Sequence, residues 1–305
     1  MDIQIFFDEV KHKYTDNRGN VFTSVTTAIG KYVEKFDAEG MAAVCAKIGK
    51  NPNHPKYLKY KGKTKQQLLA EWKATTQVAL DRGNEKHNYL EAAVKHSNGY
   101  KLVEGKFIRD RIFTIPDIVK NPKVGQVSLS RLRELKLNVN YPSIYKVIEN
   151  FVDNGWKLYA EIGTFNIDLL ISGLVDLLLV RDNKFIILDW KTNKAPIQFI
   201  SGYYEKDVNG NLTNNYIRDN KFLQYPLNYI PASSGHKYTL QLSGYAYLIE
   251  YFGLELETII LCHIRQEEGK EETVEFLPIK YLKEDIHKLF THHSVNSKRV
   301  NELVF

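Results

Sequence analysis

Asp176 and Asp189 flank a short polar segment, and Lys191 follows two residues later. Asp176 lies in Gly173-Leu-Val-Asp-Leu-Leu-Leu-Val180, and Asp189 in Phe185-Ile-Ile-Leu-Asp-Trp-Lys-Thr192. Two apolar runs around Asp182-Asn183 read as a β-hairpin. With the turn centred there, Val180 meets Phe185, Leu178 meets Ile187 and Asp176 meets Asp189. The two carboxylates then face each other at roughly 5 Å between Cβ atoms, and strand alternation adds Lys191 to the same face. Like charges opposed in an apolar hairpin are destabilising, and within the two strands Lys191 is the group that offsets them. A divalent cation is the alternative counter-charge, and paired carboxylates on a rigid strand suit Mg²⁺. The plainer reading is an edge hairpin whose acids point to water.

These residues resemble the D…(D/E)xK signature of the PD-(D/E)XK nuclease superfamily, through Asp176 and Asp189-Trp190-Lys191-Thr192. Gly173-x-x-Asp176 and the Asp-x-Lys-Thr form are similar to the branch of RecB-type helicase–nucleases and many phage exonucleases. Glu161, Gln241-Leu-Ser-Gly-Tyr245 and His87 within Arg82-Gly-Asn-Glu-Lys-His87 fit that branch too. The resemblance runs from Arg82 to about Arg265. It implies an α/β fold with a restriction-endonuclease-like core, a central mixed sheet flanked by helices. It implies Mg²⁺ or Mn²⁺ held by His87, Asp176, Asp189 and the backbone carbonyl of Trp190. Lys191 would position the attacking water or stabilise the transition state, and nearness to the metal would favour loss of its proton. Glu161 would orient a water or Lys191, although it reads equally as a strand-edge acid. Gln241 and Tyr245 would contact DNA or brace the site, Thr192 would fix the strand end, and Arg82 would take a lesser role.

The expected activity is hydrolysis of DNA phosphodiesters in recombination, repair or phage genome processing, acting as an exonuclease on single-stranded or duplex ends. The rivals are a structure-specific endonuclease of the same fold, an inactive nucleic-acid-binding module, and a metallohydrolase for small substrates. A recombination or replication protein as partner is left open.

A length of 305 residues can bury a sizeable core. The formal charge of +6 permits a polyanionic partner without demanding one. Two cysteines, Cys45 and Cys262, argue against a disulfide framework and a structural zinc site, and supply too few ligands for an iron–sulfur cluster. The N-terminus lacks the pattern of a signal peptide, and no apolar run approaches a membrane span. A cytoplasmic location is expected, including that of an infected host.

The elements that must position the site are read in order. Residues 1–150 form an N-terminal β-hairpin and a helical region contributing His87, and 151–305 form the nuclease core with an insertion at 195–238 and a C-terminal helix. Helical spacing runs from Thr27 through Phe36, from Met41 to Ile48, and over 64–97. Lys50 to Lys65 carries six lysines with Tyr57 and Tyr60 interleaved, which suits phosphates and unpaired bases. The same stretch reads as a solvated loop. Residues 156–161 and 164–171 read as two strands before the hairpin, Tyr238–Tyr251 as a helix, Thr258–Ile264 and Thr273–Ile279 as closing strands. Leu282–His293 reads as a final amphipathic helix, with His292 and His293 on its surface.

Overall fold

The computed structural model describes residues 3–8, 11, 13–78, 81, 101–103, 106–108, 112–207, 212–265 and 272–303. Arg82 and His87, to which site roles were assigned, lie outside the described residues.

The chain opens with a meander, β1 (Ile5–Asp8), β2 (Lys13–Asp16) and β3 (Val21–Ser24). Asp16 fixes the second turn by accepting from the backbone N–H groups of Arg18 and Asn20 at 2.9 and 2.8 Å. Ser24 ends β3 and caps α1 (Val25–Gly30), accepting from the Thr27 N–H at 3.0 Å. The helix expected to run to Phe36 stops at Gly30, where the chain turns so that Tyr32 is buried and bonds His292. Asp37 then caps α2 (Ala38–Ile48), followed by α3 (Tyr57–Tyr60) and α4 (residues 65–78).

A separate hairpin of β4 (Lys101–Val103) and β5 (Lys106–Ile108) precedes α5 (Ile115–Lys120), β6 (Gln126–Val127), α6 (Leu129–Glu134), α7 (Leu137–Asn140) and α8 (Pro142–Asp153). The two strands expected over 156–171 are one strand, β7 (Lys157–Asn166), because its ladder to the next strand resumes at Ile162 and continues to Asn166. The turn at 167–170 leads into β8 (Ile171–Arg181), and β9 (Lys184–Lys191) returns in the expected register, Leu178 opposite Ile187 and Val180 opposite Phe185. The insertion holds a hairpin of β10 (Gly202–Lys206) and β11 (Leu212–Arg218). After it come α9 (Ser234–Glu250), β12 (Glu255–Arg265), β13 (Thr273–Pro278) and α10 (Lys283–Leu303).

Nine strands among the described residues form one mixed sheet, so the architecture is α/β with a large sheet flanked by helices. β8 is its hinge line. One edge pairs antiparallel with β7 along its length. The other edge is shared: Ile171 and Ser172 pair parallel with β3, whereas Leu177 to Arg181 pair antiparallel with β9. Between them residues 173–176 pair with neither, so the sheet forks there. β9 in turn pairs parallel with β12.

Alternation sends the two faces of β9 into two cores. Phe185 and Ile187 pack under α1, α9 and α10, while Ile186, Leu188 and Trp190 pack under α6 to α8. Asp189 and Lys191, by the same period, sit on the α9 side.

Of the pair expected on the surface, His293 is buried, and His292 is half-buried with Nδ1 2.9 Å from the Tyr32 hydroxyl. Burial, helped by Lys31 and His292, pushes His293 down to about 4 from 6.5. Below pH 6.5 the unfolded chain takes up a proton that the folded chain refuses. Stability is therefore complete above pH 6.5 and falls as the pH approaches 4, by at most about 3 kcal/mol. Thermal melts across that window should show the decline, and His293→Gln should flatten it; an unchanged slope would exclude His293 as the source.

Candidate active site

At the fork, the β8–β9 ladder ends with Leu177 opposite Leu188. Asp176 and Asp189 are the next residues outward on the two strands. With the ladder over, the Trp190 N–H has lost its cross-strand carbonyl, and the Asp176 carboxylate lies 3.4 Å from it. The same edge of the fork brings Asp189 beside Lys191, with Nζ 2.5 Å from Oδ2. That contact is an ion pair.

Glu161 occupies the β7 position opposite Asp176, between the pairs Ala160–Leu177 and Ile162–Val175. It is 2% exposed and has φ of 52° in mid-strand. Such a backbone costs about 1–3 kcal/mol and persists only where its surroundings enforce it. Its consequence is visible on either side. Ala160 and Leu177 face the α8 core, whereas Ile162 and Val175 face the α9 core. Both strands therefore switch faces together, at Glu161 and at Asp176. Among the described residues no group of three His, Cys, Asp or Glu side chains is placed to hold a metal ion.

Helix α9 roofs the pair. Tyr238, Gln241 and Tyr245 share one helical stripe at spacings of three and four. Gln241 Nε2 donates to the Tyr245 hydroxyl at 2.9 Å and reaches Thr26 Oγ1 of α1 at 3.4 Å. The Tyr238 ring lies 5.3 Å from Lys191 Nζ. Thr192 is half-buried directly after β9. Tyr245 packs against β8 at Gly173, where an added Cβ would stand 2.5 Å from Cε1 of the ring. Gly244, one residue earlier, lets α9 approach Val25 in the same way.

That closeness makes Gly173 a sharp test of the packing. Tyr245 is buried and bonded to Gln241, so its ring has nowhere to swing. Gly173→Ala should cost about 1–3 kcal/mol and lower Tm by several degrees. A melt superimposable on the unmodified protein would show that α9 sits further from β8.

The electrostatics centre on the two acids. Burial works against a charged Lys191, but Asp189 and then Asp176 outweigh it and hold the amine well above its ordinary value. The two acids by themselves thus keep the lysine an ammonium. Burial and the Asp189 carboxylate push the Tyr245 phenol up to about 12, so it stays protonated. Burial, then the same two acids, also raise the Cys262 thiol far above neutrality. This buried cysteine is an unreactive thiol.

Three further residues surround Lys191 that the motif did not signal. His263 is opposite Lys191 in the parallel β9–β12 register and 1% exposed. Its Nε2 lies 2.9 Å from the Asn193 carbonyl. Asn193 Oδ1 in turn accepts from the Tyr238 hydroxyl at 3.3 Å. Tyr238 was legible as the residue one turn before Gln241. His263 was not, because nothing local reveals that β12 lies beside β9.

The insertion and the lysine-rich segment also meet: Lys59 Nζ donates to the Lys206 carbonyl at 3.0 Å. No family model and no curated protein matches this chain. Among the described residues, no helix is long and apolar enough to cross a membrane.

Proposed function

We propose that the chain is a metal-dependent deoxyribonuclease of the PD-(D/E)XK type. The observation that supports this best is the gathering of Asp176, Asp189 and Lys191 at the fork of the sheet, under the Gln241–Tyr245 pair. The donor set suits a hard divalent cation. Two carboxylates occupy adjoining strand positions, and Oδ2 of Asp189 is buried. Asp176, Asp189 and the carbonyl of Trp190 would hold Mg²⁺ or Mn²⁺, with His87 as a further ligand. Bound there, the cation would supply Lewis acidity toward a scissile phosphate and its attacking water.

The protein's own groups do the rest. Lys191 would position the attacking water or lie against the phosphate as negative charge builds on its oxygens. Tyr245 and Gln241, both neutral donors, would hold a phosphate oxygen or the lysine in place. Glu161, strained and buried behind Asp176, fixes the strand switch that aims this carboxylate.

We further read the enzyme as attacking from DNA ends. The contact of Lys59 with Lys206 joins the basic segment to the insertion, whose Tyr203, Phe222, Tyr225 and Tyr229 are half or more exposed. Rings and lysines in that arrangement suit a single strand. Linear and covalently closed DNA of equal length, incubated with Mg²⁺, separate the alternatives. The linear form should shorten progressively while the closed circle persists. Discrete internal fragments or rapid loss of the circle would point to an endonuclease, and binding without any cleavage to an inactive module.

A further inference from the structure

Lys191 is the last residue of β9, where a strand end ordinarily frays. Here it does not stand alone. His263, opposite it on β12, has Nε2 2.9 Å from the Asn193 carbonyl, two residues past Lys191. A carbonyl only accepts, so Nε2 carries the proton and donates. Nδ1 is then bare, buried and without a hydrogen bond, 4.0 Å from Oε2 of Glu275. An orphaned buried nitrogen carries a desolvation cost that an apolar side chain at the same place would avoid. The imidazole is thus an expensive way to fill a core position unless its donor matters.

What the donor holds is a network that reaches the lysine through Tyr238. The Asn193 side chain is fixed at both ends: Nδ2 donates to the Ala195 carbonyl at 2.7 Å and Oδ1 accepts from Tyr238 at 3.3 Å. Through that bond the Tyr238 ring is held 5.3 Å from Lys191 Nζ. An aromatic face stabilises an ammonium placed over it. Asp189 and Tyr238 therefore both contact the amine. We propose that His263, Asn193 and Tyr238 are positioning residues that clamp the Lys191 ammonium against Asp189. The inference rests on the reading of Lys191 as a residue of the nuclease site, but the clamp itself is a statement about where the lysine sits.

The test uses the full chain and two readouts. In steady-state cleavage of linear DNA with Mg²⁺, Tyr238→Leu and His263→Leu should each lower kcat about tenfold with KM within about twofold, as expected of a misplaced group. Tyr238→Phe, which keeps the ring and loses the bond to Asn193, should lose about threefold. His263→Gln, which can still donate to the Asn193 carbonyl, should recover most of the activity. The second readout needs no turnover. Acylation of lysines by an activated ester, followed by peptide mass spectrometry, should show Lys191 reacting several-fold faster in both leucine variants, with Lys184 unchanged. Should a leucine variant fail to fold, Tyr238→Phe and His263→Gln carry the test. Inactive wild type with the expected labelling change would retain the clamp and remove the nuclease reading. Wild-type kcat together with wild-type labelling in the folded variants would overturn the clamp, as would a raised KM at unchanged kcat. His263→Gln behaving as His263→Leu would overturn the role given to the imidazole donor.

Discussion

Asp189→Asn should lower Mg²⁺-dependent cleavage by roughly 10³-fold, the scale lost with a preorganised charge-stabilising group. The same change should leave the melting temperature within a few degrees of wild type. The carboxamide is nearly isosteric with the carboxylate it replaces. Lys191 keeps Asp176 as a counter-charge, since both acids act on the amine. A buried like-charge pair is relieved at the same moment, which offsets part of the lost ion pair. Divalent binding, followed by calorimetry, should disappear with the carboxylate. The combination of lost activity and retained stability is what separates a site residue from a structural one. A collapse in Tm accompanying the loss of activity would instead assign Asp189 to the fold.

Lys191→Met should show the opposite balance between stability and binding. It leaves two acids at the fork without a cation, one of them 1% exposed. Removing one partner of a buried pair costs about 3–5 kcal/mol, less here because the lysine keeps some solvent contact. Millimolar Mg²⁺ should restore much of that Tm, because a ligand that binds only the folded chain stabilises it by mass action. At saturating DNA, kcat should stay roughly 10²–10⁴-fold below wild type with the metal present. DNA affinity should hardly change, since one partly buried amine is a small part of a basic surface. Wild-type kcat in this variant would remove Lys191 from the chemistry.

The residues of the site were readable because a β-hairpin and a helix each obey a local period. The apolar runs at 174–180 and 185–188 set the register of β8 and β9, and extending that register put Asp176 level with Asp189, one position beyond the Leu177–Leu188 pair where the ladder ends. Helical spacing likewise placed Gln241 over Tyr245. What local periods cannot carry is a break in them. Glu161 and Asp176 sit where both strands exchange inner and outer faces, a switch that depends on left-handed backbone at Glu161. The run to Phe36 failed as a helix because the bond between Tyr32 and His292, some 260 residues away, outweighs a weak local preference. His263 reaches the site only through the parallel pairing of β9 with β12, a non-local fact. The lysine-rich segment and the insertion were legible as separate polar stretches, and their meeting at Lys59 and Lys206 was not.

The most direct measurement is a time course on end-labelled single-stranded and linear duplex DNA, with Mg²⁺ varied from none to millimolar, run in parallel for wild type and Asp189→Asn. Wild type should release labelled products at a rate that rises with Mg²⁺ and saturates, and excess EDTA should stop it. Asp189→Asn, folded by its melt, should release almost none at any concentration. Cleavage undiminished in EDTA, or equal in the two proteins, would contradict the assignment of this carboxylate pair as the site of a metal-dependent nuclease.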